Sequence, residues 1–203
     1  MKFIACALIM VIAISCNNSH PSTANKDSSV AGKADSTDSL KKPSFFRVTS
    51  YLKGQLKDLE NNGIAPLKYI MKNGRRDSVW LKWQDVVDFT NDFMTPEIDS
   101  ANLADLFEES SFIDQSVGAA TLTYSPKGNL PDSFQLRRWD VYVQPETGKV
   151  RRVFMIKSLP GNITRQLTWV NNRSIKVVEI LDKPGNDPKV IKDETISWDY
   201  FQQ

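Results

Sequence analysis

Histidine occurs once in this chain of 203 residues, at position 20, and cysteine twice, at positions 6 and 16. From residue 44 onward there is neither. That segment therefore offers no imidazole as a general base and no imidazole or thiolate as a metal ligand. Ser-His-Asp and Cys-His catalysis, zinc hydrolysis and haem ligation through His are excluded there. No glycine-rich loop is present to cradle a phosphate chain; the nine glycines are scattered, mostly at turns. An excess of charge is lacking too. Residues 44–203 hold 21 Lys and Arg against 21 Asp and Glu. A neutral domain has no broad electrostatic footprint for nucleic acid, nor would it adhere to an anionic membrane by charge alone. No cofactor, no metal and no enzyme activity is expected. A long apolar run is also missing: residues 3–14 form an uncharged apolar stretch, shorter than the ~20 residues that cross a bilayer as a helix.

That short run is nevertheless informative. Met1 and Lys2 precede it, and Ala13-Ile14-Ser15-Cys16 closes it. A positive start, a short apolar core and small residues at its end mark a secretory signal. With Cys16 in place, the first sixteen residues resemble the lipobox signal of bacterial lipoproteins, with Ala13 where that pattern usually has Leu. The resemblance implies that residues 1–15 are cut away and that Cys16 becomes the lipid-carrying first residue of the mature chain. Each buried CH₂ of an acyl chain is worth ~0.8 kcal/mol, and two chains hold stably where one does not. The expected location is the bacterial cell envelope, at the outer membrane ahead of the inner, with the domain in the periplasm or at the cell surface. Cys6 leaves with the signal, so no disulfide and no free thiol are expected afterwards.

Residues 16–43 read as the lipidated Cys and a flexible polar tether. The 27 residues after Cys16 are rich in Ser, Ala, Asn, Asp and Lys, with Val30 and Leu40 as the larger apolar residues. Such a segment buries too little to offset chain entropy, and as a coil it would span roughly 30 Å. Asp35-Ser36-Thr37 and Asp38-Ser39-Leu40 look like the acceptor of some bacterial O-glycosylation systems.

Residues 44–203 read as one domain. Phe45, Val48, Leu52, Leu56 and Leu59 recur at helical steps, with Ser44 as an N-cap and Asn61-Asn62-Gly63 as the stop. Residues 67–72 and 77–81 read as a hairpin around Asn73-Gly74. Trp83, Val86, Val87, Thr90, Phe93 and Met94 mark a second helix, stopped by Pro96. A third, shorter helix is predicted over 100–108, with Leu103, Leu106 and Phe107 inward. The period then changes to two. Strands are predicted at 119–125, 137–144, 149–158, 163–170, 174–181 and 189–199, separated by turn chemistry and paired antiparallel in sequence order. A turn with left-handed Gly148 sets Val141 against Val153 and Trp139 against Met155. A loop at 171–173 sets Trp169 against Ile175, Leu167 against Val177 and Arg165 against Glu179. A slip of one residue would mix apolar with polar on each face. The predicted class is α+β: two to three N-terminal helices packed on an antiparallel six-strand meander.

Few residues suggest chemistry. Ser-x-x-Lys occurs at Ser39/Lys42 and Ser50/Lys53, without the companion motifs of acyl-enzyme families. Asp85, Asp88 and Asp92 share a helix face that reads as solvated. Glu108, Glu109 and Asp114 lack the spacing of a calcium loop. Trp83, Trp139 and Trp169 fall on core faces. The odd element is the strand 149–158. Val153 and Met155 point one way, Phe154 and Ile156 the other, so the strand is either covered on both sides or carries an apolar patch on its wet face. Arg151 and Arg152 lie in the same strand, near Arg137 and Arg138 in the predicted hairpin; solvated strand-edge charge and an anion-contacting patch are the two readings of them. The candidate binding patch is Phe154, Ile156, Arg151 and Arg152.

The function expected from these features is that of a membrane-anchored envelope lipoprotein with a non-catalytic binding or structural accessory role, its partner an envelope protein or ligand. One alternative is a carrier or receptor of a hydrophobic ligand, since strands curling over helices are similar in outline to periplasmic lipoprotein carriers and receptors. Another is a small hydrolase working through carboxylates, which needs two of them converging in a cleft.

Overall fold

The computed structural model describes residues 45–198 apart from 73, 100, 101 and 115–117. The predicted signal, Cys16, the predicted tether with His20, the expected acceptor motifs at Ser36 and Ser39 and the predicted Ser44 cap lie outside the described residues.

Helix α1, Val48–Asn61, buries Val48, Thr49, Leu52 and Leu59, a spacing that keeps one stripe inward. It ends where Gly63 takes a left-handed φ of 61°. Strands β1, Leu67–Lys72, and β2, Arg75–Trp80, form a hairpin whose turn holds Gly74 at φ 73°. Helix α2, Trp83–Met94, opens with the Lys82 backbone N–H donating to Asp85 Oδ2 at 3.1 Å and buries Val86, Thr90 and Phe93. Seven strands follow: β3 Phe107–Asp114, β4 Ala119–Pro126, β5 Leu136–Val143, β6 Val150–Leu159, β7 Ile163–Val170, β8 Ser174–Leu181 and β9 Lys189–Ser197.

All nine strands make one antiparallel sheet in the order β2-β1-β9-β8-β7-β6-β5-β4-β3. Its registers line up in rows. Tyr124, Trp139, Met155, Leu167 and Val177 form one, and Leu122, Val141, Val153, Trp169, Ile175 and Ile196 the next. Both rows face α1 and α2 and build the core with Phe45, Val48, Leu52, Phe93 and Ile98. The rings interlock: Tyr124 stacks on Trp139 at 4.6 Å, Phe107 meets Trp139 at 4.7 Å and Phe93 meets Trp169 at 5.6 Å. Aromatic pairs at such distances add to their area burial.

This architecture corrects the predicted class. The described residues are mostly β, one nine-strand sheet with two helices, rather than an α+β domain of two to three helices on six strands. Two causes account for the difference. The hairpin β1–β2 joins the main sheet because β1 pairs with β9, from Leu67 opposite Ser197 to Ile70 opposite Glu194. The segment predicted as a third helix makes a single turn, with the Leu106 and Phe107 backbone N–H groups bonded to the Leu103 carbonyl. It then extends into β3, which pairs with β4 over eight residues. Leu103 and Phe107 are buried as their spacing suggested, whereas Leu106 is exposed. The six meander strands and both argued hairpin registers agree with the structure.

Candidate functional site

The face of the sheet toward the helices is closed by its own packing, with the Trp139 and Trp169 Nε1 groups buried there without a hydrogen-bond partner among the described residues and a band of other polar groups paired internally. Beyond the two apolar rows lies a third, Lys157, Arg165, Glu179 and Lys192, one residue from each of β6 to β9. Arg165 donates to Glu179 Oε1 at 2.8 and 3.1 Å and to the Asp92 carboxylate on α2. Lys157, 2 % exposed, donates to the Asp92 backbone carbonyl in the last turn of α2, where a cation meets the negative end of the helix dipole. Burial pushes the Lys157 ammonium below the usual lysine range, with Asp92 acting against that shift and Arg165 adding to it. Lys192 lies 3.5 Å from Glu194, and Glu194 lies 3.1 Å from Lys68, which sits over the Phe89 ring. This band fastens α2 to the sheet. Asp92 and Glu179 converge on one guanidinium, and Glu179 and Glu194 on the Lys192 ammonium, so each of these carboxylates is held by a cation.

The other predicted acid groups separate. Asp85 caps α2, Asp88 accepts from Gln84 at 2.8 Å, and Asp92 turns to the sheet. The expected solvated face thus holds for Asp85 and Asp88 and not for Asp92. Glu108 and Glu109 are neighbours on edge strand β3 and so point to opposite faces. Among the described residues no group of three His, Cys, Asp or Glu is placed to hold a metal ion.

Neither described helix lies on the opposite face of the sheet. Phe154 and Ile156 lie on it, partly buried, opposite Asp140 and Arg138 of β5 and Thr168 and Gln166 of β7. The Arg152 guanidinium lies over the Tyr142 ring, 3.8 Å from its centroid. Tyr142, Arg151, Arg152, Ala119 and Val170 line a cavity of about 270 Å³ at one end of the sheet. The structure thus brings Arg151 and Arg152 to one cavity and sets Phe154 and Ile156 beside it along β6. Arg138 does not join them. The register that pairs Val141 with Val153 also places Arg138 opposite Ile156 and Arg152 opposite Tyr142, so the two arginine pairs occupy different ends of the hairpin.

Two features of this face escaped the sequence reading. Asp140 is 1 % exposed and accepts from Thr123 Oγ1 at 2.7 Å and from Arg138 Nε at 3.0 and 3.1 Å. Its partners lie on β4 and β5 and appear together only once the strands are paired. Tyr142 stands opposite Arg152 in the Val141–Val153 register, and alternation alone places it on this face. The chain matches no family model, no curated protein and no solved structure.

Proposed function

We propose that this chain is a lipid-anchored protein of the bacterial cell envelope. Acyl chains on Cys16 hold it to the membrane, the outer one ahead of the inner, and its folded domain binds an envelope partner or ligand without catalysing a reaction. The observation that carries the binding half is the placement of Phe154 and Ile156. Both helices lie on the opposite face, and no described element covers these two side chains. Apolar side chains left on an uncovered face, next to a cavity with two arginines, fit a recognition surface. The interlocked rings between helices and sheet weigh against a hydrophobic cargo held between the layers. The shared Arg165 weighs against a pair of working carboxylates.

Two measurements test the two halves. Labelled palmitate should enter the full chain, and Cys16→Ala should abolish labelling and release the protein to the soluble envelope fraction; retention in the membrane would sink the anchor. A photoreactive residue at position 154 or 156 should yield cross-linked species in intact bacteria, while the same residue at Lys57, on the exposed side of α1, should not. Equal yields at all three positions would remove the open face as the binding surface.

A further inference from the structure

Building on the reading of the open face as a binding surface, we propose that it carries a second, separate site: a pocket for a dianionic phosphate group formed by Arg76, Arg173 and Lys176. These residues border a cavity of about 320 Å³, within the lower range of small-ligand sites of about 300–1,000 Å³. Four adjacent strands build it. Lys176 stands opposite Thr195 of β9, Thr195 opposite Tyr69 of β1, and Met71 opposite Arg76 of β2. Arg173 enters from the turn before β8, where Asn172 takes a left-handed φ of 53°.

The chemistry of the lining is selective. The Arg76 guanidinium is stacked on the Tyr69 ring at 3.6 Å from its centroid. Stacking fixes the guanidinium plane and leaves its in-plane N–H fork available, the geometry that meets two phosphate oxygens at once. Among the described residues neither Arg76 nor Arg173 has an ion-pair partner. Lys176 is paired with Asp193 at 3.0 Å. Three cations against one acid leave a local surplus of two positive charges in a domain that is neutral overall. A phosphomonoester carries about −1.5 to −2 charge at pH 7 and matches that surplus, whereas a carboxylate compensates half of it. The hydroxyls of Ser174 and Thr195 line the same cavity and can donate to the remaining oxygens. Met71 gives one apolar side against which the rest of a ligand can lie.

A phosphomonoester can come from a soluble sugar phosphate or from a lipid headgroup, and one titration series separates them. The full chain in uncharged detergent is titrated by calorimetry, at fixed ionic strength, with inorganic phosphate, with glucose 1-phosphate and with mixed micelles containing phosphatidic acid. Saturable binding is expected. Arg76→Gln and Arg173→Gln should each weaken it on the order of tenfold, as loss of a charge-assisted contact does, and the double variant should abolish it. Arg76→Lys should recover part of the affinity, since charge returns without the fork. Affinity for glucose 1-phosphate should climb between about pH 5 and pH 7.5 as the ester's second phosphate ionisation near 6 completes. Binding of the micelles alone assigns the headgroup as source; binding of the soluble esters assigns a small metabolite. No saturable binding by any probe, a flat pH profile, or a double variant that binds like the parent would overturn the proposal. Cross-linking at positions 154 and 156 is unaffected by any of these outcomes, so failure here leaves the broader reading standing.

Discussion

Tyr51 links burial to pH. Its hydroxyl donates to the Val150 carbonyl at 3.4 Å, and burial pushes its pKa from 10.0 up to about 12. Burial moves Tyr124 in the same direction. In the unfolded chain these phenols ionise from about pH 10, while the folded chain keeps them protonated. Folding therefore binds protons in that window, and stability falls as pH rises from about 10 to about 12. Tyr51→Phe should shrink the fall, with Tyr124 leaving a remainder. Urea unfolding at about pH 9 and about pH 11.5 measures it, and an undiminished fall in the variant would refute the assignment. Single residues were legible in the sequence where alternation alone decides their side, as for Phe154 and Ile156. Lys157 has the same parity as Val153 and Met155 and was inward by that count, yet a lysine reads as solvated until α2 supplies its acceptor. The Arg76–Tyr69 stack needs the register of β1 and β2 before it can be seen.

Between elements, a pair of hydrogen bonds ties α1 to the segment after α2. The Ile98 backbone N–H donates to Thr49 Oγ1 at 2.7 Å, and the Thr49 backbone N–H donates to the Ile98 carbonyl at 3.1 Å. Both residues are about 1 % exposed. Thr49→Val keeps the shape and strands a buried donor, which costs about 1–3 kcal/mol. A lower urea midpoint with an unchanged slope is the expected result, and Thr49→Ser should lie close to the parent. Whole elements were legible where turn residues fix the pairing. Gly148 at φ 65° and Asn172 at φ 53° set the two hairpins whose registers the sequence specified. Strand β3 was not legible, because Glu108, Glu109, Ser110 and Ser111 put polar residues on both of its faces. Leu103 and Phe107 sit four apart, and a single turn satisfies that spacing as well as a helix does.

Across the whole molecule, stability should be graded along the sheet. All six residues of edge strand β2 are exposed, while β7 and β8 lie inside the sheet with Leu167, Trp169, Ile175 and Val177 buried. Amide hydrogen exchange should be fastest in β2 and slowest in β7 and β8; equal protection in β2 and β7 would contradict this grading. The joining of β1 to β9 was not legible, because no local pattern selects a partner so far along the chain. That pairing also sets an order in time. Synthesis proceeds from the N-terminus, so the hairpin β1–β2 exists long before β9, the strand on which it must seat. Until Lys189–Ser197 is made, β1 and β8 each present an unpaired edge. Closing so distant a contact is slow, and the last strand acts as the keystone. A chain that stops short of it leaves two ladders open at once, and its first hairpin has nothing to dock on.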